Sequence, residues 1–442
     1  MRKDDIILIL SDQHANWALP DKIDFLDAPI FSEMINNGEY FENCVCNSPL
    51  CVPSRMSFLS GLLPSDLDIL ENDTTLKIDQ PTIAHAAKLS GYEPVLIGRM
   101  HFKGDDQLHG FSTHIGQDIT SQYWGTGGKN RTDFGPFAST TNRKNCMNIL
   151  GGGYSPIQEY DEVIKDLAIE YLRQPSDKPR FIVIGFYGPH FPFVCKSELY
   201  EKYKKLVTLD ENITPDPVYQ ELVMYYSDDK KLKAKAAYLG LVEQLDDYVG
   251  EIWEEVKKMD GNPTLIYTSD HGEQCGKRDI YGKQTLYSEA IEVPLFIWNK
   301  NIEHKRYKHY VSLLDLSRSI LDLMNADMPF HKGHSIYKEE PVKIEQYLGE
   351  SEQFLEAVMY QNIKLYQING NIQAYKDDKL VDNHFEELNK LFLSKEEIIR
   401  LKDRQKILKE NHAFLKKWGA CAKPDEWASY KASERARNKP IE

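Results

Sequence analysis

No run of about 18 apolar residues, the length a membrane-crossing helix needs, occurs in this chain of 442 residues. Basic residues are also short: 54 Lys and Arg stand against 68 Asp and Glu, a net charge of -14. That balance argues against general nucleic-acid binding, which needs a cationic face. It leaves a small anionic ligand open, because such binding depends on local cations. Cysteine is sparse, with seven residues at 44, 46, 51, 146, 195, 275 and 421, an odd number without the density of a disulfide scaffold. Cys44 and Cys46 are too close together for zinc-knuckle spacing and read as small packed side chains. A secretory leader is not evident either. Met1-Arg2-Lys3-Asp4-Asp5 precedes only five apolar residues, Ile6 to Leu10, and the acidic pair is wrong for such a leader. The run reads as a buried first strand, and the expectation is a cytoplasmic protein. No internal repeats or low-complexity segments occur.

What is present is an alternation. Short β-branched or aromatic runs (Ile6–Leu10, Pro94–Ile97, Phe181–Phe186, Thr264–Tyr267 and Val293–Trp298) are each followed by polar, Gly-rich turns, with helical patterns at Ile157–Gln174 and Lys231–Met259 between them. This predicts an α/β protein with a large, mainly parallel central sheet sandwiched by helices. Residues 1–335 read as the main unit. Within it, 104–154 is rich in Gly, Thr, Asn and aromatics and is expected to shape a substrate pocket. Residues 336–442 read as a small antiparallel sheet-plus-helix unit. There Val358–Ile368 and Ile372–Tyr375 flank the hairpin signal Asn369-Gly370, and Ser394–Lys417 forms a charged helix.

In parallel sheets, ligands collect at the carboxyl ends of strands, and the chemistry-bearing residues follow the apolar runs. Ser11-Asp12-Gln13-His14 comes after the first run and Ser269-Asp270-His271-Gly272 after the fourth. Two Asp-plus-polar pairs so placed can converge on one cation, although an isolated Asp after a strand is more often a turn cap. Residues 51–61 read Cys-Val-Pro-Ser-Arg-Met-Ser-Phe-Leu-Ser-Gly. This stretch resembles the C-x-P-S-R signature of the type I sulfatases, within the alkaline phosphatase superfamily. Gly98-Arg99-Met100-His101 resembles the second family signature, with Arg in place of the usual Lys. Gly188-Pro189-His190-Phe191-Pro192 is similar to the family's P-H-x-P turn, and Gly282-Lys283 followed by Val293-Pro294-Leu295 to another family segment.

The resemblance implies that Cys51 is oxidised to formylglycine by a formylglycine-generating enzyme, its hydrated aldehyde being the nucleophile. It implies that Asp12, Gln13, Asp270 and His271, with the modified Cys51, hold one divalent ion: Ca2+ first, with Mg2+ or Mn2+ as alternatives. Arg55 and Arg99 would bind sulfate. His101 would take the proton as sulfate leaves, while His190 and Lys283 would serve the leaving oxygen. Cys46–Cys51 and Met100–Phe111 look like the choline-sulfatase branch, which makes Asp106, His109 and Trp124 candidate substrate contacts. Trp124 and Tyr123 would offer an aromatic face to a quaternary ammonium.

The expected activity is hydrolysis of a sulfate monoester whose alcohol is a carbohydrate, choline-like or aryl group. A phosphonate monoester or phosphodiester hydrolase using the same site is the first alternative. A non-catalytic binder of sulfated ligands is the second. The sequence leaves open whether the chain is a homo-oligomer.

Overall fold

The protein is described by a computed structural model over residues 3–104, 106–119, 136–137, 140–368, 370–377 and 379–417. Its centre is the strand Ile6–Asp12, buried along all seven residues. Successive side chains of a strand point to opposite faces, and this one feeds two cores. Ile7 and Ile9 join helices Pro29–Asn37, Pro156–Leu172 and Asp228–Lys258 on one side. Ile6, Leu8 and Leu10 join helices Cys51–Ser60, Ile83–Leu89 and Leu313–Met324 on the other. A strand covered on both faces has no use for polar alternation, which is why it reads as a continuous apolar run.

The large sheet runs Lys305–Ser312, Glu39–Val45, Leu295–Trp298, Thr264–Ser269, Ile6–Asp12, Arg180–Pro189, Glu93–Gly98 and Thr113–Ile115. The four strands from Thr264–Ser269 through Glu93–Gly98 are mutually parallel. The α/β class and mainly parallel sheet are as the sequence indicated, with three departures. Leu295–Trp298 is antiparallel to both neighbours. The expected strand Val293–Trp298 is divided at Pro294, which has no N–H for a ladder. Glu39–Val45 and Lys305–Ser312 gave no apolar run because charged residues are interspersed along them.

The hairpin at Asn369-Gly370 forms with Ile368 opposite Asn371, although Asn369 itself lies outside the described residues. The expected long arm Val358–Ile368 is two strands, Gln353–Tyr360 and Ile363–Ile368, turning at Gln361-Asn362. They belong to a five-stranded antiparallel meander from Val342 to Val381. Val342, Ile344, Leu355 and Ala357 of this sheet share the second core. Helix Lys395–Lys417 closes over Tyr347 and Phe354 with Ile398 and Leu401. Within 104–154, Thr113–Ile115 extends the central sheet. No helix among the described residues is long and apolar enough to cross a membrane.

Candidate active site

Register brings the acids together. Ser11 pairs with Ser269 across two parallel strands, so Asp12 and Asp270 leave the sheet side by side. Asp12 is also level with Pro189, which places His190 on the same rim, and Gly98 is level with Gly185, which does so for Arg99. Cys51 is the first residue of a wholly buried helix, where orphan N–H groups and the helix dipole favour an anion. Pro53 falls in the first turn, where a missing N–H costs nothing. Arg55, four residues on, shares the helix face of Cys51.

Among the described residues Asp12, Cys51, Asp270 and His271 form one cluster, with donor atoms all within 4.8 Å of one another and every side chain buried. His271 Nε2 is 3.2 Å from Cys51 Sγ, 3.6 Å from Asp12 Oδ1 and 3.5 Å from Asp270 Oδ1. Its Nδ1–H donates to the Gly272 carbonyl at 3.0 Å, leaving the Nε2 lone pair facing the cluster, the arrangement a ligating imidazole needs. Arg55 Nε donates to Asp270 Oδ2 at 2.7 Å and Arg99 Nε to Asp12 Oδ2 at 2.7 Å. Burial opposes ionisation of Asp12, but the cations Arg99, Arg55 and Lys283 hold its carboxyl well below the usual range. Burial, reinforced by Asp12, pushes the Cys51 thiol up to about 11. A thiol so placed is protonated at neutral pH and a weak nucleophile.

The two other histidines stand in opposite tautomers. His190 donates through Nδ1 to the Phe191 carbonyl at 2.8 Å, which leaves Nε2, 4.0 Å from Asp12 Oδ1, with a lone pair. Arg99 Nη2 lies 2.7 Å from His101 Nδ1. A guanidinium can only donate, so neutral His101 carries its proton on Nε2. Burial first, then Arg99 for His101 and Lys283 for His190, lowers both pKa values well below the ordinary imidazole value. Lys283 Nζ donates to Gln13 Oε1 at 2.6 Å.

Two of the proposed substrate contacts have local partners. Asp106 Oδ1 accepts from the backbone N–H of Leu108 and His109 at 2.9 and 3.1 Å, a turn cap, and His109 packs on the Phe102 ring at 4.6 Å. Trp124 and Tyr123 lie outside the described residues. Three acids escaped the sequence reading. Asp118 accepts from Arg99 Nη1 at 2.9 Å and from the His101 N–H at 2.7 Å. Asp161, raised to about 7 by burial, holds the Tyr187 and Gly188 N–H groups ahead of His190. Glu273 accepts from Gln13 Nε2. Only Glu273 carried a signal, its position two residues after His271.

A sequence model of the sulfatase family matches residues 4–326. The chain belongs to the sulfatase family. This sulfatase is thus placed among sulfuric ester hydrolases. It is 28% identical over 359 residues to the choline-sulfatase of Rhizobium meliloti, covering 73% of this chain and 67% of that protein. Among solved structures, the phosphonate monoester hydrolase of Agrobacterium radiobacter superposes with a TM-score of 0.69 at 17% identity, over 93% of this chain and 96% of that one. BT4656, in complex with its substrate D-glucosamine-2-N,6-O-disulfate, gives 0.66 at 16% identity, over 93% and 99%. Likeness at that identity shows a shared alkaline-phosphatase-like fold.

Proposed function

We propose that this sulfatase hydrolyses a sulfate monoester to an alcohol and inorganic sulfate, with Cys51 acting as formylglycine after modification by a partner enzyme in the cytoplasm. The observation that carries the reading is the cluster of Asp12, Asp270 and His271 around the Cys51 sulfur, braced by two buried guanidinium groups. Its donors are those of a divalent cation site: two carboxylates and an imidazole, with Gln13, whose backbone N–H donates to Asp270 Oδ1 at 3.1 Å, as the further expected ligand. The set suits Ca2+, with Mg2+ or Mn2+ as competitors. Once bound, such an ion polarises sulfate oxygens and makes a nearby hydroxyl more acidic. One hydroxyl oxygen of the hydrated aldehyde would bond sulfur as the bond from sulfur to the alcohol oxygen breaks and the protonated alcohol leaves. The second hydroxyl would then lose its proton, re-forming the aldehyde as the C–O bond to sulfate breaks, and water would restore the hydrate.

The remaining work falls to this chain's own groups. Arg55 and Arg99 are permanently charged and fixed by carboxylates, so they stabilise negative charge on sulfate oxygens without reorganising. Lys283 faces the leaving oxygen with an N–H donor. The lone pair on His190 Nε2 makes that atom a proton acceptor in the pocket, while His101 presents an N–H. This reverses the role that resemblance alone suggested for His101.

Cys51→Ala should fold normally yet lose turnover to background. The intact mass of wild-type protein should fall by the change from CH2–SH to CHO at Cys51. An unshifted mass together with absent turnover would favour a binder of sulfated ligands. The likeness to a phosphonate monoester hydrolase supports one alternative substrate class, and a side-by-side kcat/KM on aryl sulfates and aryl phosphonate monoesters separates the two. A higher value on the phosphonate would reverse the assignment.

A further inference from the structure

We propose that Arg143 binds a second anionic group, a carboxylate or a further sulfate, on the alcohol half of the substrate; this rests on the reading above and narrows that alcohol to an acidic one. Arg143 opens the short turn Arg143–Asn145, and its main chain is anchored in the core. Phe137, Cys146 and Met147, on either side of it, are buried in the same cluster as Phe191 and Tyr281. The side chain runs along Gly282, the residue before Lys283. A Cβ built on Gly282 would stand 3.7 Å from Arg143 Cγ and 3.5 Å from Phe191 Cε1. The centre of the Phe191 ring lies 5.3 Å from Lys283 Nζ and 4.0 Å from the centre of the His190 ring. Phe191 thus stands among Arg143, Lys283 and His190, and the last two are the groups assigned to the leaving oxygen. Arg143 is therefore on the side of the centre where the alcohol must lie.

Its partners set Arg143 apart from the other guanidinium groups. Arg55 and Arg99 are each held by buried carboxylates. The side chain of Arg143 makes one hydrogen bond among the described residues, from Nη1 to the Leu222 carbonyl at 3.1 Å, and no ion pair. Glu350 and Glu221 act on it from a distance, and Glu350 is already paired with Lys144 at 2.7 Å. Burial pulls the Arg143 pKa below the ordinary guanidinium value, because a charge taken from water without a counter-ion is costly. A guanidinium presents several N–H donors in a planar fork, so one carbonyl leaves donors over for an anion. Carboxylate and sulfate oxygens match that fork, and an anion brought by the substrate supplies the counter-charge that the protein withholds. The anchored main chain holds the cation ready, so little ordering is lost on binding.

Two ester pairs read this contact. 3-Carboxyphenyl sulfate is matched by the neutral 3-carbamoylphenyl sulfate, and 1,3-phenylene disulfate by 3-(mesyloxy)phenyl sulfate. Wild-type kcat/KM should be about 10-fold higher on the acidic member of at least one pair, and the pair that shows it tells carboxylate from sulfate. Arg143→Gln should lose about 10-fold on that acidic ester and about 3-fold or less on its neutral partner. The loss should fall on KM, since the contact is the same in the ground and transition states. Arg143→Lys keeps the charge without the fork and should lie between the two. It also carries the comparison if Arg143→Gln does not fold.

Equal rates on both members of both pairs, or a loss in Arg143→Gln that is uniform across them, would overturn the inference. Calorimetry with 3-carboxybenzenesulfonate and 3-carbamoylbenzenesulfonate, which are not hydrolysed, repeats the comparison without turnover, and equal affinities there count against it too. A preference for the acidic sulfonate that Arg143→Gln abolishes, in a protein that hydrolyses none of the esters, would keep the site and sink the functional reading above.

Discussion

Arg99 stands where the resemblance leads one to expect lysine, and its contacts use the guanidinium at three points. Nε meets Asp12 at 2.7 Å, Nη1 meets Asp118 at 2.9 Å, and Nη2 meets His101 at 2.7 Å; the group also lies 4.6 Å from the centre of the Tyr187 ring. A single ammonium cannot span these positions, so Arg99→Lys is not conservative here. It should destabilise the fold by about 1–3 kcal/mol, since a buried carboxylate loses its donor. Urea denaturation would measure that change. Activity should fall by about tenfold for every 1.4 kcal/mol of sulfate stabilisation lost with it. Residues 12, 51, 55, 190 and 283 could be read as candidates because each sits in a short local motif. Asp118 and Asp161 could not, because they act on backbone N–H groups in other elements, and an acid with such a role has no local pattern.

At the scale of elements, the turn from strand Glu93–Gly98 into Arg99 is possible only because two glycines meet there. Gly98 has φ +80°, a region L side chains rarely adopt. Gly185, level with it on the neighbouring strand, runs so close that an added Cβ would lie 1.8 Å from the Arg99 carbonyl oxygen. Gly185→Ala must therefore displace Arg99 or the strand. The expected cost is about 2 kcal/mol or more, with weakened sulfate binding. Thermal melting and calorimetry with inorganic sulfate would read both effects, and an unchanged variant would show that the turn has slack. The sequence marked Gly98 as part of a signature but gave no hint that Gly185, inside an apolar run, mattered to the same turn. That pairing is a property of register between strands nearly 90 residues apart.

In the whole molecule, the small sheet is fastened to the segment that leads into Cys51. Asn47, buried, donates from Nδ2 to the Lys343 carbonyl at 2.8 Å, and its Oδ1 accepts from the Leu314 N–H at 2.9 Å. Its own carbonyl accepts from the Glu345 N–H at 2.9 Å. One side chain thus ties strand Val342–Leu348 and helix Leu313–Met324 to the approach of the nucleophile. Asn47→Ala leaves the buried Leu314 N–H unpaired, at about 1–3 kcal/mol, and removes the partner of the part-buried Lys343 carbonyl. It should make the C-terminal strands cleavable by protease at concentrations that leave the wild type intact, while Cys51→Ala should not.

The sequence by itself determined the strand-end acids, which follow the apolar runs, and the parallel core, because strands covered on both faces stay apolar throughout; Cys51 and Arg55 were marked by the resemblance of their motif. Tertiary structure alone decided which acid holds which cation and where the small sheet attaches. Those outcomes depend on burial, which removes water as an alternative partner and makes every donor and acceptor find one across distant parts of the chain.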